Sequence, residues 1–392
     1  MIERVHIKNF KSIYDLDINV GRVNLFIGEN GSGKSNLLEA LVFVSANQSK
    51  KLDNEFLVSR GLRVPKPELM FSAFNIQKEE QVISISIGSK ENLEQYEFVN
   101  DNTNYPKWLY KSEKMIRDSI SKDFPEYSKE KMDDILALVY KEILKNKESF
   151  LETLNKNIKD GYQIILSNEH QFGFKDFLIY SPENTALRTF EKEGQIQPLG
   201  INGEGLLKLL KVVNNYEDKT YIKTIIESLK LFDWFEDIKI PNHLSLGEDK
   251  VVIKDKYLYK EIDQRSTNEG FLFILFYITL IVAKETPKSF AIDNIDASLN
   301  PKLCTKLMII ICDLAKKYDK QIFLTTHNPA ILDGINLNDK EQKLFVVSRN
   351  KSGYTRTKNI TAKDKPKSSN DEPLKLSEAF LRGYLGGLPK GF

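Results

Sequence analysis

Residues Gly28-Glu29-Asn30-Gly31-Ser32-Gly33-Lys34-Ser35 fit the pattern G-x-x-x-x-G-K-[ST], and the residue types describe a cradle for a phosphate chain. The glycines allow backbone conformations closed to other residues, so the N–H groups from Asn30 to Gly33 can turn inward on an anion. Lys34 adds a full positive charge and Ser35 a hydroxyl suited to Mg²⁺. The helix start at Asn36 contributes its partial positive charge. Far along the chain, the apolar run Ser289–Ile292 ends in Asp293. Such a carboxylate, on the strand adjacent to the phosphate loop, is what holds Mg²⁺ through its water shell. Asn294-Ile295-Asp296-Ala297-Ser298-Leu299-Asn300-Pro301 follows, and then Thr325-Thr326-His327-Asn328-Pro329 after a further apolar run. His327 follows directly on an apolar run, where a buried structural histidine is the plain reading.

These groups need elements to hold them. Val23–Ile27 reads as a buried parallel strand, and Leu37, Leu38, Leu41 and Val42 recur at helical spacing after the loop. Residues 2–8 and 14–20 alternate as half-buried strands joined by Asn9-Phe10-Lys11-Ser12, which feeds into the phosphate loop. Period-two patterns in FSAFNI, QVISISI and QYEFV between Leu69 and Phe98 predict an antiparallel sheet beside the nucleotide core. Residues 106–160 are rich in charge with apolar positions at helical spacing: a projecting arm, or an amphipathic helix packed on its own domain. A strand over Asp176–Tyr180 returns to the core. The glycines from Gly200 to Gly205 read as a helix-initiating turn, opening helical structure over Leu206–Phe235. A strand pair over 250–262 leads through Ser266-Thr267-Asn268-Glu269-Gly270 into an apolar helix. Strand 289–293, helix 301–318, strand 321–325 and strands 343–348 and 354–360 complete the chain.

Strands alternating with helices imply an α/β fold with a mostly parallel sheet. The expectation is a P-loop NTPase with a mixed sheet and flanking helices, an antiparallel β subdomain and a helical insertion. Residues 1–105 and 246–392 would form the two parts of the head, and 106–245 the insertion.

The charge balance, 57 Lys plus Arg against 55 Asp plus Glu, gives no whole-molecule case for a polyanionic partner. Cys304 and Cys312 share one expected helix, a poor geometry for a disulfide, and read as reduced thiols. No signal-peptide pattern opens the sequence, and the apolar run Gly270–Ala283 is too short to span a bilayer. A cytoplasmic protein without membrane contact is expected.

The order NFKS, GENGSGKS, a Gly-bearing helix start near Gly270, AIDNIDASLNP and TTHNP resembles the ATP-binding heads of the ABC superfamily. The strand-NFKS-strand opening and the long insertion resemble the RecF, SMC and OLD-like branch rather than transporters. The resemblance implies ATP and Mg²⁺ as cofactors. It implies that Lys11, Ser12 and residues 30–36 face the nucleotide, that Lys34 holds the β and γ phosphates, and that Ser35 and Asp293 hold the metal. His327 would be the switch histidine. Ser266, Asn268 and Gly270 would form the signature segment, which reaches the γ-phosphate of the other subunit in a head-to-head homodimer. Asn268 stands where the family normally has Ser. Asn294 stands where it normally has the Glu that activates water; an amide can accept a hydrogen bond from water but not its proton, so slow hydrolysis is expected. Asp296 is the other candidate for that task. Gln77, Gln81 and Gln171 all remain candidates for the Q-loop glutamine.

Lys343, Arg349, Lys351, Arg356, Lys358, Lys363, Lys365 and Lys367 are opposed by a single acid, Asp364. They read either as a nucleic-acid or acidic-protein patch or as an edge-strand pair guarded by lysines. The tail LSEAFLRGYLGGLPKGF resembles that of OLD-like ATPases encoded beside an effector gene in antiphage systems, and its apolar content suggests docking on its own head or on a partner. The stretch after His327 is shorter than a compact nuclease domain needs. The expectation is an ATPase sensor or scaffold of a prokaryotic defence complex whose effector, a nuclease, is a separate chain. The alternatives are a DNA-repair ATPase acting on nucleic acid and a nucleotide-locked scaffold.

Overall fold

The structure, a computed structural model, describes residues 1–72, 74, 82–100, 108–110, 172–189, 196–241, 250–367 and 373–388. Its centre is a six-stranded sheet in the order β14-β13-β3-β12-β11-β7. Strand β3 (Val23–Ile27) lies between β12 (Gln321–Thr326) and β13 (Gln342–Arg349), parallel to both. Strands β11 (Ser289–Ile292) and β7 (Ile179–Tyr180) continue the parallel set, and β14 (Thr355–Ile360) closes the other edge antiparallel to β13.

Because strand side chains alternate between faces, the apolar runs of these strands serve two cores at once. Leu25, Ile292, Leu324 and Val346 point into one. Phe26, Ala291, Phe323 and Phe345 point into the other. The first core is filled by helix α6 (Glu269–Val282), which is buried from Phe271 to Val282. Helices α4 (Leu206–Asn214), α5 (Thr220–Leu229) and α7 (Pro301–Lys317) pack around it. The second holds α1 (Lys34–Gln48) under an antiparallel sheet in the order β2-β1-β4-β5-β6, formed by Ile13–Asn19, Arg4–Phe10, Ile83–Gly88, Leu93–Asn100 and Trp108–Tyr110.

Several sequence expectations change in detail. Phe71 of FSAFNI makes only an isolated bridge to Phe10, and residues 73 and 75–81 lie outside the described residues. Of the charged helical stretch expected over 106–160, only 108–110 are described, and they form strand β6 instead of helix. Residues 206–235 form two helices, and Phe235 already starts a strand, β8 (Phe235–Lys239), which joins β9 (Val252–Asp255) and β10 (Ile262–Asp263) in a small antiparallel sheet. Asp293 does not follow the strand next to the phosphate-loop strand, because β12 lies between them. Within the span assigned to an insertion, β7 and helices α4 and α5 are packed into the central core. The basic segment builds one margin of the main sheet, with β14 at the edge and antiparallel to β13.

Two polar features fix connections outside the site. Lys320, 3% exposed, donates to the carbonyls of Ala283, Thr286 and Pro287 and to the Thr286 hydroxyl, pinning the turn between α6 and β11. The C-terminal helix α8 (Leu376–Leu381) buries Leu376 and Phe380 in the first core, and Ser377 donates to Asp333. The tail therefore docks on its own head. Cys304 and Cys312 are free and buried. Among the described residues, no helix is long and apolar enough to cross a membrane.

Candidate nucleotide site

The phosphate loop leaves the C-terminal end of β3 and enters α1 at Lys34. Its backbone demands glycine at two positions where structure crowds the loop. A Cβ on Gly28 would lie 2.0 Å from the Val347 carbonyl oxygen, and one on Gly33, at φ 104°, would lie 2.1 Å from Thr355 Oγ1. Lys34 Nζ curls back over the loop to donate to the carbonyls of Gly28 (2.9 Å) and Glu29 (3.0 Å). Burial draws its ammonium below the usual lysine value, against the pull of Asp293, Asp296 and Glu29. Ser32 Oγ is fully buried and has no hydrogen-bond partner among the described residues, an orphaned hydroxyl of the kind that a polar ligand satisfies.

Ser35 Oγ lies 3.0 and 3.2 Å from the two carboxylate oxygens of Asp293. Thr325, at the end of β12, donates its hydroxyl to the same carboxylate and accepts from the backbone N–H of Asn294 at 2.9 Å. Asn294 is exposed, with φ 56°, a left-handed conformation that Asn tolerates better than most residues. Asp296 Oδ1 accepts from the Thr326 hydroxyl (2.7 Å) and from the His327 backbone N–H (3.2 Å). Desolvation, helped by the charge of Lys34, draws the His327 imidazole below its usual value, which favours the neutral ring. Asp293, Asn294, Asp296 and His327 thus gather at the ends of β11 and β12, with Asp293 against Ser35. A carboxylate and a hydroxyl oxygen beside a lysine and helix N–H groups are the hard-oxygen set that suits Mg²⁺ and a polyphosphate.

Lys11 and Ser12 stand on the other side of the loop. Lys11 Nζ donates to Glu39, which is 1% exposed, and to the Arg63 carbonyl, while Arg63 Nε bonds the other Glu39 oxygen at 2.6 Å. Lys11, Ser12, Asn36, Arg63, Phe74 and Arg349 line a cavity of about 560 Å³ next to the loop. Asn30 and Gly31 form the exposed crown of the loop.

The segment 266–270 makes no hydrogen bond to residues 28–36 among the described residues. Asn268 caps α6 by accepting from Phe271 N at 2.8 Å, and Gly270 is the second residue of that helix. The segment is held by a residue given no role from sequence: the Arg188 guanidinium donates to the carbonyls of Gln264, Arg265 and Thr267 at 2.8, 2.6 and 2.9 Å. Glu39, Arg63, Thr325, Arg349 and Thr355 were likewise not legible as site residues. Their partners lie far off in sequence, and only an uncharacteristic buried Glu in α1 offers a signal. Gln77, Gln81 and Gln171 lie outside the described residues.

A phosphate loop in the middle of a parallel sheet, a carboxylate reached across it and a β subdomain over α1 define an ABC-type ATPase head of the RecF, SMC and OLD-like branch. The family described as "AAA domain, putative AbiEii toxin, Type IV TA system" matches residues 23–333, and the chain belongs to it. An OLD nuclease of Thermus scotoductus is 21% identical over 352 residues, covering 85% of this chain and 60% of that protein. The DNA replication and repair protein RecF of Porphyromonas gingivalis is 32% identical over 108 residues, 26% of this chain and 30% of that protein. The chain thus spans less than two thirds of the length of either relative. An Smc head solved bound to the C-winged helix domain of ScpA shares the fold, with a TM-score of 0.53 and 14% identity over 92% of this chain and 98% of that one.

Proposed function

We propose that the chain binds ATP with Mg²⁺ and hydrolyses it slowly, as the sensor or scaffold subunit of a prokaryotic antiphage complex whose effector is a separate chain. The observation that carries the nucleotide reading is the meeting of Ser35 with Asp293 beside Lys34. In this reading Lys34 gives up its contacts to the Gly28 and Glu29 carbonyls and turns to the β and γ phosphates. Ser35 and Asp293 hold the metal, which neutralises charge on the transferred phosphoryl group. Thr325 fixes the Asp293 carboxylate. Asn294 or Asp296 orients the attacking water, and neutral His327 donates to the γ-phosphate. Arg188 keeps Ser266, Asn268 and Gly270 in place to meet the nucleotide on a second copy, so that ATP is sandwiched between two heads.

The defence role rests on the family description, which names a toxin–antitoxin system, and on the OLD nuclease relative. A second reading, a nucleotide-locked scaffold, is favoured by Asn294, which cannot act as a base. The deciding experiment is ATP turnover by the purified chain beside Lys34→Ala as a blank. Turnover above the blank supports the ATPase. Tight binding without turnover supports the scaffold, and the absence of ATP binding sinks both.

A further inference from the structure

The phosphate loop is gripped from a direction that the family match does not cover. That match ends at residue 333, yet the hairpin of β13 and β14 touches the loop at each of its turns. The Val347 carbonyl abuts Gly28. At the end of β13, Arg349 Nε donates to the Gly31 carbonyl at 2.7 Å. At the start of β14, Thr355 Oγ1 donates to the Ser32 carbonyl at 2.9 Å. The same Thr355 oxygen lies 2.7 Å from Ser12 Oγ, which accepts from Asn36 Nδ2 at 2.7 Å. Donors and acceptors balance along one relay, Asn36 to Ser12 to Thr355 to the loop carbonyl.

The carbonyl of Gly31 matters because the loop works only if its N–H groups face the ligand and its carbonyls face away. Among the described residues no atom lies within 4 Å of where a Gly31 Cβ would be, so no packing from that side holds the crown. A charge-assisted bond from Arg349 does. Arg349 also lines the same cavity as Lys11 and Arg63.

We infer that Arg349 and Thr355 are positioning residues that hold the phosphate loop in its anion-binding conformation. This rests on the nucleotide reading above and adds the C-terminal hairpin to the site. Because the effect acts on the phosphate cradle, it applies to any ligand through its polyphosphate and is indifferent to the base.

The test compares Arg349→Ala, Arg349→Lys and Thr355→Val with the wild-type chain. One readout is affinity for a fluorescent ATP, and for magnesium tripolyphosphate by competition. The other is backbone hydrogen exchange over residues 28–36 in the nucleotide-free protein. Arg349→Ala is expected to lose about tenfold in affinity for both ligands by a similar factor, with faster exchange over the loop and an unchanged unfolding midpoint. Arg349→Lys, which keeps the charge without the planar fork, falls between. Unchanged exchange and affinity overturn the inference. So does an affinity loss for ATP alone, or one that tracks a lowered midpoint. A wild-type chain that binds neither ligand overturns the nucleotide reading, while the exchange comparison still decides the role of Arg349.

Discussion

The Ser35 hydroxyl lies 3.0 Å from the nearer oxygen of the Asp293 carboxylate, joining the first turn of α1 to the end of β11 across the width of β12. Two oxygens so close together, brought from distant parts of the chain, are what the proposed Mg²⁺ site would need. Ser35→Ala and Asp293→Asn are each expected to weaken Mg²⁺-supported nucleotide binding by about tenfold or more, with little change in binding measured in EDTA. Equal losses with and without the metal would remove both residues from the metal's coordination.

Asn294 holds φ 56° at an exposed position. Asn294→Glu places a less tolerant residue there and is expected to cost about 1 kcal/mol of stability, read by urea denaturation. The same variant supplies a carboxylate able to take a proton from water, and ATP turnover is expected to rise. Turnover that stays level would exclude this position from water activation.

His327 carries a depressed pKa. Between the folded value and the ordinary histidine value near 6.5, the unfolded chain binds the proton more readily than the folded one. Stability from this group is therefore complete above about pH 6.5 and is lost as pH falls through that window. Unfolding midpoints measured from pH 7.5 down to 5 should fall, and His327→Gln should flatten part of that fall. Parallel curves would show that other groups carry the whole pH dependence.

Arg188 ties down three carbonyls ahead of α6. Arg188→Ala is expected to leave nucleotide binding to the single head intact and to weaken ATP-dependent dimerisation by about tenfold, measured by sedimentation. Dimerisation at wild-type strength would sink the assignment of 266–270 as the trans-acting segment.

Lys320 satisfies four oxygens from inside the core. Lys320→Met removes the charge and takes this donor from the Thr286 and Pro287 carbonyls, while Ala283 keeps the Thr286 hydroxyl, with an expected loss of about 3 kcal/mol in denaturant unfolding. A neutral result would mean that the turn from Ala283 to Pro287 relaxes to find water.

The phosphate-loop pattern, Asp293 and His327 stood out in the sequence because each sits in a short local pattern: an apolar run, then a glycine, carboxylate or imidazole. The strands carrying them were legible for the same reason, since strands buried on both faces leave continuous apolar runs. Strand order was not, as the sequence contains no sign that β12 separates β11 from β3. Glu39 was missed because α1 is buried from Leu37 to Ala46, and a carboxylate within it reads as an outer face until Lys11 and Arg63 are seen to meet it. Arg349 and Thr355 were missed because their partners stand more than three hundred residues away. Their own neighbourhood, rich in lysine, pointed outward to solvent or to nucleic acid.

The margins of the central sheet constrain how copies of this protein can associate. One margin, β7, is two residues long. The other, β14, turns Arg356, Lys358 and Asn359 to solvent. A strand from a neighbouring molecule finds at the first margin too little backbone to pair with, and at the second a fence of positive charge. Growth by ribbon extension, the usual hazard of a flat sheet, is thus disfavoured at both margins of the main sheet among the described residues.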